Sequence, residues 1–298
     1  MSSMPAAPMA DTKPALPRIL PRWRQHGGFV LGGAILAVFV LMAFLAPLLT
    51  SHDPYAQDLM VRMQPPIWME GGSWTHPFGA DHLGRDYLAR LLYGARVSLV
   101  VGLAVTLIAC LIGTAFGVAA GYFGGRIDTA ISFVITARLA IPVILVALAV
   151  VALIGSSMQI VIAVLGLLLW DRFAIVMRAT TQQIRSANYI VAAHVQGASN
   201  FQIIVSEILP NVVNNLLVVA TLEVAHAIVM EAALSFLGIG VPAPTPSWGL
   251  MIAEGRANIF FDPWLIAIPG VFLFMLVLAT NMAGDGLRDL TAPENRNR

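Results

Sequence analysis

Three ionisable side chains stand inside one long apolar stretch, and they are the residues of this sequence best placed to do chemistry. Glu223, His226 and Glu231 lie within residues 212–239, which hold no other ionisable residue. If that stretch is a helix, the two glutamates are about 80° apart around its axis, and His226 falls near the same sector. We expect either a polar stripe that lines a pore, contacting an amine or a metal, or hydrogen bonds between helices. A position of Glu231 near the outer end of the helix is a third option.

The single lysine and the single cysteine exclude several kinds of catalytic or binding site. Lys13 stands in Thr-Lys-Pro, which does not fit a phosphate-binding P-loop, whose lysine follows glycines. Cys110 has no second cysteine with which to form an internal disulfide or a cysteine zinc site. Neither an H-E-x-x-H pair nor a G-x-S-x-G elbow is present. We therefore expect no enzyme, and no cofactor or metal site on this chain.

The composition of the chain indicates an integral membrane protein. Of the 298 residues, 58% are hydrophobic and only 11% are charged. In soluble domains roughly 45–50% of residues are apolar and about 25% are charged. The excess apolar residues fall into long blocks, as expected where lipid is the solvent. Disorder, a disulfide scaffold and a nucleic-acid module are excluded, and the net charge of +1 gives no reason to expect nucleic acid as a partner.

Six of these blocks are long enough to be transmembrane helices, so we expect an all-α fold with six spans. The predicted organisation is an N-terminal tail 1–28, a first transmembrane helix 29–50, an extracytoplasmic segment 51–96, a five-helix core 97–284 and a tail 285–298. Within the core, the predicted spans are 97–125, 128–153, 158–176, 212–239 and 264–282, with a loop at 177–210.

Basic residues predict the orientation of these spans. With the N-terminus inside, most arginines fall in cytoplasmic segments, Arg172 among them, and Arg138 is left within the membrane. Both termini are therefore expected in the cytoplasm.

The segment between the fourth and fifth predicted spans, 186–210, has the most distinctive local pattern. Ser186 and Ser199 are suited to cap two short helices, and Gly197 suits the left-handed position that ends the first. Pro210 is expected to stop the second helix before the fifth span. The bend carries only small side chains, which would let another surface approach closely: Ala192, Ala193, Gly197 and Ala198. An ordinary connector at the membrane interface is the alternative.

This segment resembles the EAA loop of ABC-importer membrane subunits, whose pattern is E-A-A-x3-G-x9-I-x-L-P. The positions that match are Ala192, Ala193, Gly197, Leu209 and Pro210. Two positions depart from the pattern, because Val191 replaces the glutamate and Glu207 replaces the isoleucine. The missing acid leaves no basis for a charged contact at Val191.

Five further motifs resemble the dipeptide/oligopeptide/nickel permease family of ABC importers. They are His76–Asp86 (HPFGADHLGRD), Tyr93–Leu99 (YGARVSL), Glu231–Gly240 (EAALSFLGIG), Pro244–Gly249 (PTPSWG) and Gly284–Asp289 (GDGLRD). With the EAA-like loop they cover about residues 76–290 in the family's order.

The resemblance implies a type I importer permease, the second (C-type) subunit of a heterodimer with a homologous permease in the bacterial inner membrane. It further implies two ATPase subunits, which bind ATP and magnesium, and a substrate-binding protein on the outside. The residues expected to dock the ATPase are Ala192, Ala193, Gly197, Ala198, Leu209 and Pro210. Peptides are the expected cargo, with nickel or another small solute as the alternative. A secondary transporter is less expected, because it requires several buried ionisable residues in broken helices.

Charged residues also precede the second predicted span. Asp81, Arg85 and Asp86 are candidates for contacting the binding protein, and helix capping with local ion pairing is the alternative. His76 and His82 beside Asp81 superficially suggest a metal site, but the sequence fixes no ligand geometry there.

Overall fold

The structure is a computed structural model that describes residues 27–291, and those residues form helices and no β-strand. The predicted tail 1–28 and the end of the tail 285–298 fall largely outside this range. In chain order the helices are α1 (Gly27–Leu49), α2 (Tyr87–Phe123), α3 (Gly125–Leu139), α4 (Val143–Ile154), α5 (Met158–Leu168), α6 (Asp171–Arg185), α7 (Asn188–Val195), α8 (Asn200–Ile203), α9 (Leu209–Phe236), α10 (Trp248–Gly255) and α11 (Trp264–Thr291).

Five stretches of these helices are long and apolar enough to cross a membrane, and a sixth is a bent pair. They are α1, α2, α5 with α6, α8 with α9, and α11, and the bent pair is α3 with α4. This agrees with the six spans expected from the sequence.

The helix that carries the second predicted span, 97–125, begins ten residues before that span, at Tyr87. Its 37 residues are about 56 Å long, which exceeds a hydrocarbon core of about 30 Å. The extra turns are covered by other parts of the chain. The Tyr87 hydroxyl donates to the Leu265 carbonyl, and Trp248 Nε1 donates to the Leu91 carbonyl at 2.9 Å. The charges of Arg90 and Arg96 made these turns look like part of a loop in the sequence, although in the fold Arg90 is buried and Arg96 is partly buried.

The third span is not one straight helix, as the sequence predicted for 128–153. α3 and α4 meet at an angle of 81°, and Pro142 stands at the start of α4. Proline lacks an amide hydrogen and disfavours the helical conformation of the residue before it, here Ile141. The turn after α4 is confirmed, since Gly155 has a φ of 107° and the Ser157 hydroxyl accepts from Ile160 N at 3.2 Å.

The fourth span continues well beyond its predicted end at residue 176. α5 and α6 together make a 28-residue helix from Met158 to Arg185, and Arg172 lies near its middle. Arg172, which the sequence assigned to the cytoplasmic end of this span, therefore lies within a continuous helix. The sequence rule places a charge outside the apolar run, but here the fold supplies an acidic partner for it within the bundle.

α2 is the central helix, and glycines let α6 pack closely against it. A Cβ at Gly117 would lie 2.6 Å from the Ala174 carbonyl oxygen, and one at Gly121 would lie 2.7 Å from that of Arg178. Gly113 faces α6 in the same way, so the three form a small-residue stripe at four-residue spacing. α1 packs against α11 at the other side of the molecule, and α9 packs against α2, α6 and α11.

Candidate functional sites: a projecting loop and a polar layer

The loop between α6 and α9 forms the helix–glycine–helix bend that its sequence predicts. Gly197 has a φ of +86°, and the Ala198 N–H donates to the Ala193 carbonyl at 3.1 Å. With the Gly197 N–H donating to the His194 carbonyl, this is a Schellman motif that ends α7. The Ser199 hydroxyl caps α8 by accepting from Gln202 N at 3.3 Å. The bend is thus fixed by backbone geometry.

Two predicted details of this loop are wrong. Ser186 does not cap α7; it ends α6, its hydroxyl donates to the Gln183 carbonyl at 2.8 Å, and Ala187 precedes α7. Pro210 does not interrupt the chain of helices either. A π-helical turn over Ile204–Ile208 widens the helix just before it, and Pro210 then occupies the first turn of α9. The second short helix of the loop therefore continues into α9 without a break, because a proline in the first turn of a helix removes no hydrogen bond.

One face of the loop is anchored on the ends of α2 and α6. Its buried side chains pack with those of these helices in one cluster: Ile190, Ile203, Ile208, Val118, Tyr122 and Met177. The Tyr122 hydroxyl donates to Asn200 Oδ1 at 2.9 Å and lies 3.3 Å from His194 Nε2. The loop is therefore in direct contact with α2.

The opposite face of the loop is exposed and apolar. Val195 is 83% exposed and Phe201 is 76% exposed, and Tyr189 and Val191 stand beside them. Residues 186–206 contain no Asp, Glu, Lys or Arg. Large apolar side chains on a small protrusion mark an interaction surface.

The residues that the sequence singled out as a docking bend divide between these two faces. Ala192, Gly197 and Pro210 are exposed, whereas Ala193, Ala198 and Leu209 are half-buried and pack on the anchoring cluster. The pattern therefore marks both the surface and its support. The exposed Val195 and Phe201 were missed, because an apolar residue in an apolar chain carries no distinctive signal.

A polar layer lies midway along the spans, between α6 and α9. Glu223 is buried, and its Oε1 accepts from Arg172 Nη1 at 2.9 Å, while its Oε2 lies 3.3 Å from His226 Nδ1. The Arg172 side chain remains 54% exposed. The predicted proximity of Glu223 and His226 is confirmed, and Arg172 is the residue that sequence reasoning missed.

A second pair extends the layer toward α3. Arg138 Nε donates to the Leu168 carbonyl at 2.6 Å, and its guanidinium lies 3.5 Å from Asp171. Trp170-Asp-Arg172 has neither glycine nor proline, so the absence of a turn signal could have placed these charges within the helix. Two opposite charges on neighbouring residues of α6 thus reach two different partners.

Glu231 lies apart from this layer. It is fully buried, and its Oε1 accepts from the Ser235 hydroxyl at 2.7 Å. The Ser235 hydroxyl also accepts from Val241 N at 3.2 Å, in the segment that follows α9. Because Ser235 belongs to the same helix, this is not the bond between helices that the sequence allowed, and the complete burial of Glu231 argues against a position on a pore wall.

The charged residues before α2 form a buried ion-pair cluster, which we call the outer cluster: Asp81, Arg85, Arg90 and Glu254. Arg85 Nε donates to Asp81 Oδ2 at 2.6 Å, and its Nη2 reaches Glu254 at 3.0 Å. Arg90 Nη1 pairs with Asp81 and, at 2.8 Å, with Glu254. Burial alone would raise the pKa of Asp81, but the Arg90 charge, the Arg85 charge and two backbone N–H groups together hold it below its usual value.

Asp86 caps the first turn of α2 beside this cluster. Its Oδ1 accepts from Ala89 N at 2.6 Å, and its Oδ2 lies 2.8 Å from His76 Nδ1. Asp81, Arg85 and Asp86 are all nearly inaccessible to solvent. The structure therefore shows the alternative that the sequence allowed, helix capping and local ion pairing; Arg90 and Glu254 are the partners that the sequence did not reveal.

Histidines near this cluster fall into two groups with metal-ligand spacing. One contains His52, His76 and Asp86, and the other contains Asp81, His82 and Glu254. His76 and His82 thus lie in separate groups. The acids of the second group already pair with two arginines, whose charge opposes a cation.

The fold and these sites define a multi-pass membrane protein with a helix–glycine–helix loop and a polar layer between its spans, and comparison with known proteins gives its family. The model described as binding-protein-dependent transport system inner membrane component matches residues 113–297. A second, described as the N-terminal TM domain of oligopeptide transport permease C, matches residues 18–66. The chain belongs to this family of ABC-importer permeases, and it is a transport subunit of the inner membrane.

Relatives and solved structures agree with the family. The di/tripeptide transport system permease protein DppC of Pseudomonas aeruginosa is 35% identical over 301 residues, covering 100% of this chain and 99% of that protein. The dipeptide transport system permease protein DppC of Alkalihalophilus pseudofirmus is 40% identical over 265 residues, with 89% and 85% covered. The inward-facing MetNI methionine ABC transporter has a TM-score of 0.56 at 19% identity, covering 68% of this chain and 97% of that one. The last match shows a shared permease fold.

Proposed function

We propose that this chain is the membrane-spanning permease subunit of an ATP-driven peptide importer, and that it forms half of the translocation pore. Two relatives are named as a di/tripeptide and a dipeptide transport permease, and this chain aligns with 99% and 85% of their lengths. A homologous permease forms the other half of the pore. Two ATPase subunits bind ATP and magnesium, and this chain carries no cofactor of its own.

The loop between α6 and α9 couples the permease to an ATPase subunit. The observation that carries this proposal is its two-faced construction: exposed Val195 and Phe201 on one side, and burial against α2 on the other. Closure of the ATPase pair would push on the exposed face, and the anchoring cluster would carry that movement into α2 and α6. Because Val191 stands where the family pattern has glutamate, the contact is apolar rather than charged.

The face between α6 and α9 lines the pathway. Arg172, Glu223 and His226 form its middle, and Asn215 Nδ2 donates to Thr180 Oγ1 at 3.1 Å further along the same two helices. The exposed residues of α1 are entirely apolar, which suits contact with lipid. The polar face would meet the homologous permease around the pore.

The segment between α1 and α2 contacts the substrate-binding protein. Asp81 and Arg85 of the outer cluster lie in the buried part of this segment. Its surface carries two exposed tryptophans, Trp68 and Trp74, and Trp74 is 84% exposed. Exposed tryptophans are frequent anchors of protein interfaces. Asp81, Arg85 and Asp86 would then affect the binding protein indirectly, by holding the segment in the conformation that the binding protein contacts.

The coupling proposal is tested by replacing Gly197 in the assembled transporter. A Cβ at Gly197 would have no other atom within 4 Å, but a leucine side chain is strained at a φ of +86°. We expect peptide uptake to fall at least about tenfold, with membrane insertion retained and ATP hydrolysis no longer tied to transport. Gly197→Asn is the matched control, because asparagine tolerates this conformation, and it should transport nearly as well as the wild type.

Two results would contradict the proposal. Unchanged peptide uptake by Gly197→Leu would show that the bend does not couple the subunits. If the wild-type transporter took up nickel and no dipeptides, the proposed role of the loop would stand, but peptides would not be the substrate.

A further inference from the structure

Arg172 uses only part of its hydrogen-bonding capacity. One of its terminal nitrogens donates to Glu223, the one acid that pairs with it within residues 27–291, and the side chain is 54% exposed. A guanidinium offers five N–H donors in a planar fork. Several of these donors therefore face away from the protein interior.

The depth of Arg172 restricts what those donors can face. The residue lies near the middle of the Met158–Arg185 helix, and a charge facing hydrocarbon there costs at least about 2.5 kcal/mol. Lipid is thus a poor neighbour. Water in a pathway, or a polar group passing through it, satisfies the exposed donors.

The neighbours of Arg172 leave it available for an anion. Glu223 is held at one edge of the fork and is buried, so it orients the guanidinium without covering it. Asp171, the adjacent acid, pairs with Arg138 of α3 instead. A planar, two-oxygen anion matches the open fork best, and carboxylates bind arginine in this way.

We propose that Arg172 binds the terminal carboxylate of a peptide in transit, midway along the pathway; this rests on the proposed function as a peptide importer. Every linear peptide with a free C-terminus carries this carboxylate whatever its side chains, so one arginine serves substrates of varied sequence. Glu223 competes for the same guanidinium and keeps the site weak. A weak site suits transport, because a substrate must leave as readily as it enters.

The test uses a reporter thiol one turn from Arg172 in the complete transporter. Cys110→Ala removes the single cysteine of the chain, and Ile175→Cys introduces the reporter three residues along the exposed face of α6. The reporter reacts with two methanethiosulfonates, one anionic (sulfonatoethyl) and one cationic (trimethylammonioethyl), and labelling is read on this chain alone. Val38→Cys, exposed on the apolar face of α1, is the matched control.

Two results are expected. Changing Arg172 to Gln should lower the anionic-to-cationic rate ratio at the reporter thiol about tenfold, because a nearby positive charge attracts one reagent and repels the other. With Arg172 in place, dialanine should protect the reporter thiol from labelling and dialanine amide should not. Arg172→Lys should keep the rate ratio and weaken the protection, since lysine keeps the charge and loses the fork.

The outcomes separate this inference from the proposed function. If Ile175→Cys is as unreactive as Val38→Cys, the face is not a water-filled pathway and both proposals about it fail. If the reporter thiol reacts, but neither Arg172→Gln nor the terminal carboxylate matters, the pathway stands and the carboxylate site is refuted. Should Arg172→Gln fail to assemble, the comparison of dialanine with its amide in the Arg172 background decides alone.

Discussion

The outer cluster and the polar layer use the same residue types in opposite ways. In the outer cluster, which lies in and beside the loop before α2, Arg85 is nearly inaccessible to solvent and reaches two acids. In the polar layer, within the spans, Arg172 has one acid and is half exposed. Arg85 is thus covered by its partners, whereas Arg172 is the exposed member of a layer whose other charges are largely buried. Burial between two acids is typical of a structural ion pair, and the exposure of Arg172 is the feature on which its proposed role in transport rests.

The largest effect is expected from Arg85→Ala, which would leave Asp81 and Glu254 short of a partner in a buried site. The transporter should lose about 3–5 kcal/mol of stability, because an uncompensated buried charge is costly. Thermal or denaturant unfolding of the purified complex measures this. Arg62→Ala, at an exposed position of the same segment, should change stability by less than about 0.5 kcal/mol. Equal losses of stability for Arg85→Ala and Arg62→Ala would show that the buried ion pairs contribute no more than an exposed arginine does.

Arg172→Gln should give the converse result. We expect insertion and assembly to be retained and the peptide uptake rate to fall about tenfold, which corresponds to about 1.4 kcal/mol at the transport step. Uptake by proteoliposomes at saturating binding protein is the measurement. A loss of stability as large as that of Arg85→Ala, with uptake per folded complex unchanged, would make Arg172 another structural residue.

The outer cluster also predicts a dependence on acid. The pKa of Asp81 is below its usual value of 3.8 in the folded protein, so its ionised form stabilises the fold above that pH. This contribution is lost as the pH falls from 3.8 through the lower folded value. Wild-type protein should therefore unfold at higher temperature than Asp81→Asn near neutral pH, and the gap should narrow below pH 3.8. A gap that is constant with pH would contradict an ionised Asp81.

The smallest effect is expected at the surface above the outer cluster. Trp74→Ala removes an exposed side chain, so stability should change by less than about 0.5 kcal/mol. The affinity of the transporter for its binding protein should fall several-fold, which is measured by titrating the binding protein onto the immobilised, reconstituted transporter. An unaltered affinity would move the docking surface away from Trp74.

Sequence reasoning succeeded where a local pattern has a local cause. The Gly197 bend, the Ser199 cap and the Gly155 turn depend on backbone conformations that few residues adopt, and all three are present. It failed where the cause lies elsewhere in the chain, since the partners Glu254 of Arg85 and Glu223 of Arg172 come from distant helices. It also placed 128–153 in one span without the 81° bend before Pro142, and it missed the π-helical turn that precedes Pro210.

The sequence by itself determined that the protein crosses the membrane with six spans and carries a bent loop, since apolar length and the position of a glycine are properties of the chain alone; its permease function was implied only by the resemblance of its motifs to a family. Only the tertiary structure decided which charges are locked and which are free. Arg85 precedes an apolar run and Arg172 lies within one, but neither local sequence shows how far the side chain is covered. Their roles differ because Glu254, brought from α10, helps to cover the first, whereas Glu223 on α9 reaches only one edge of the second.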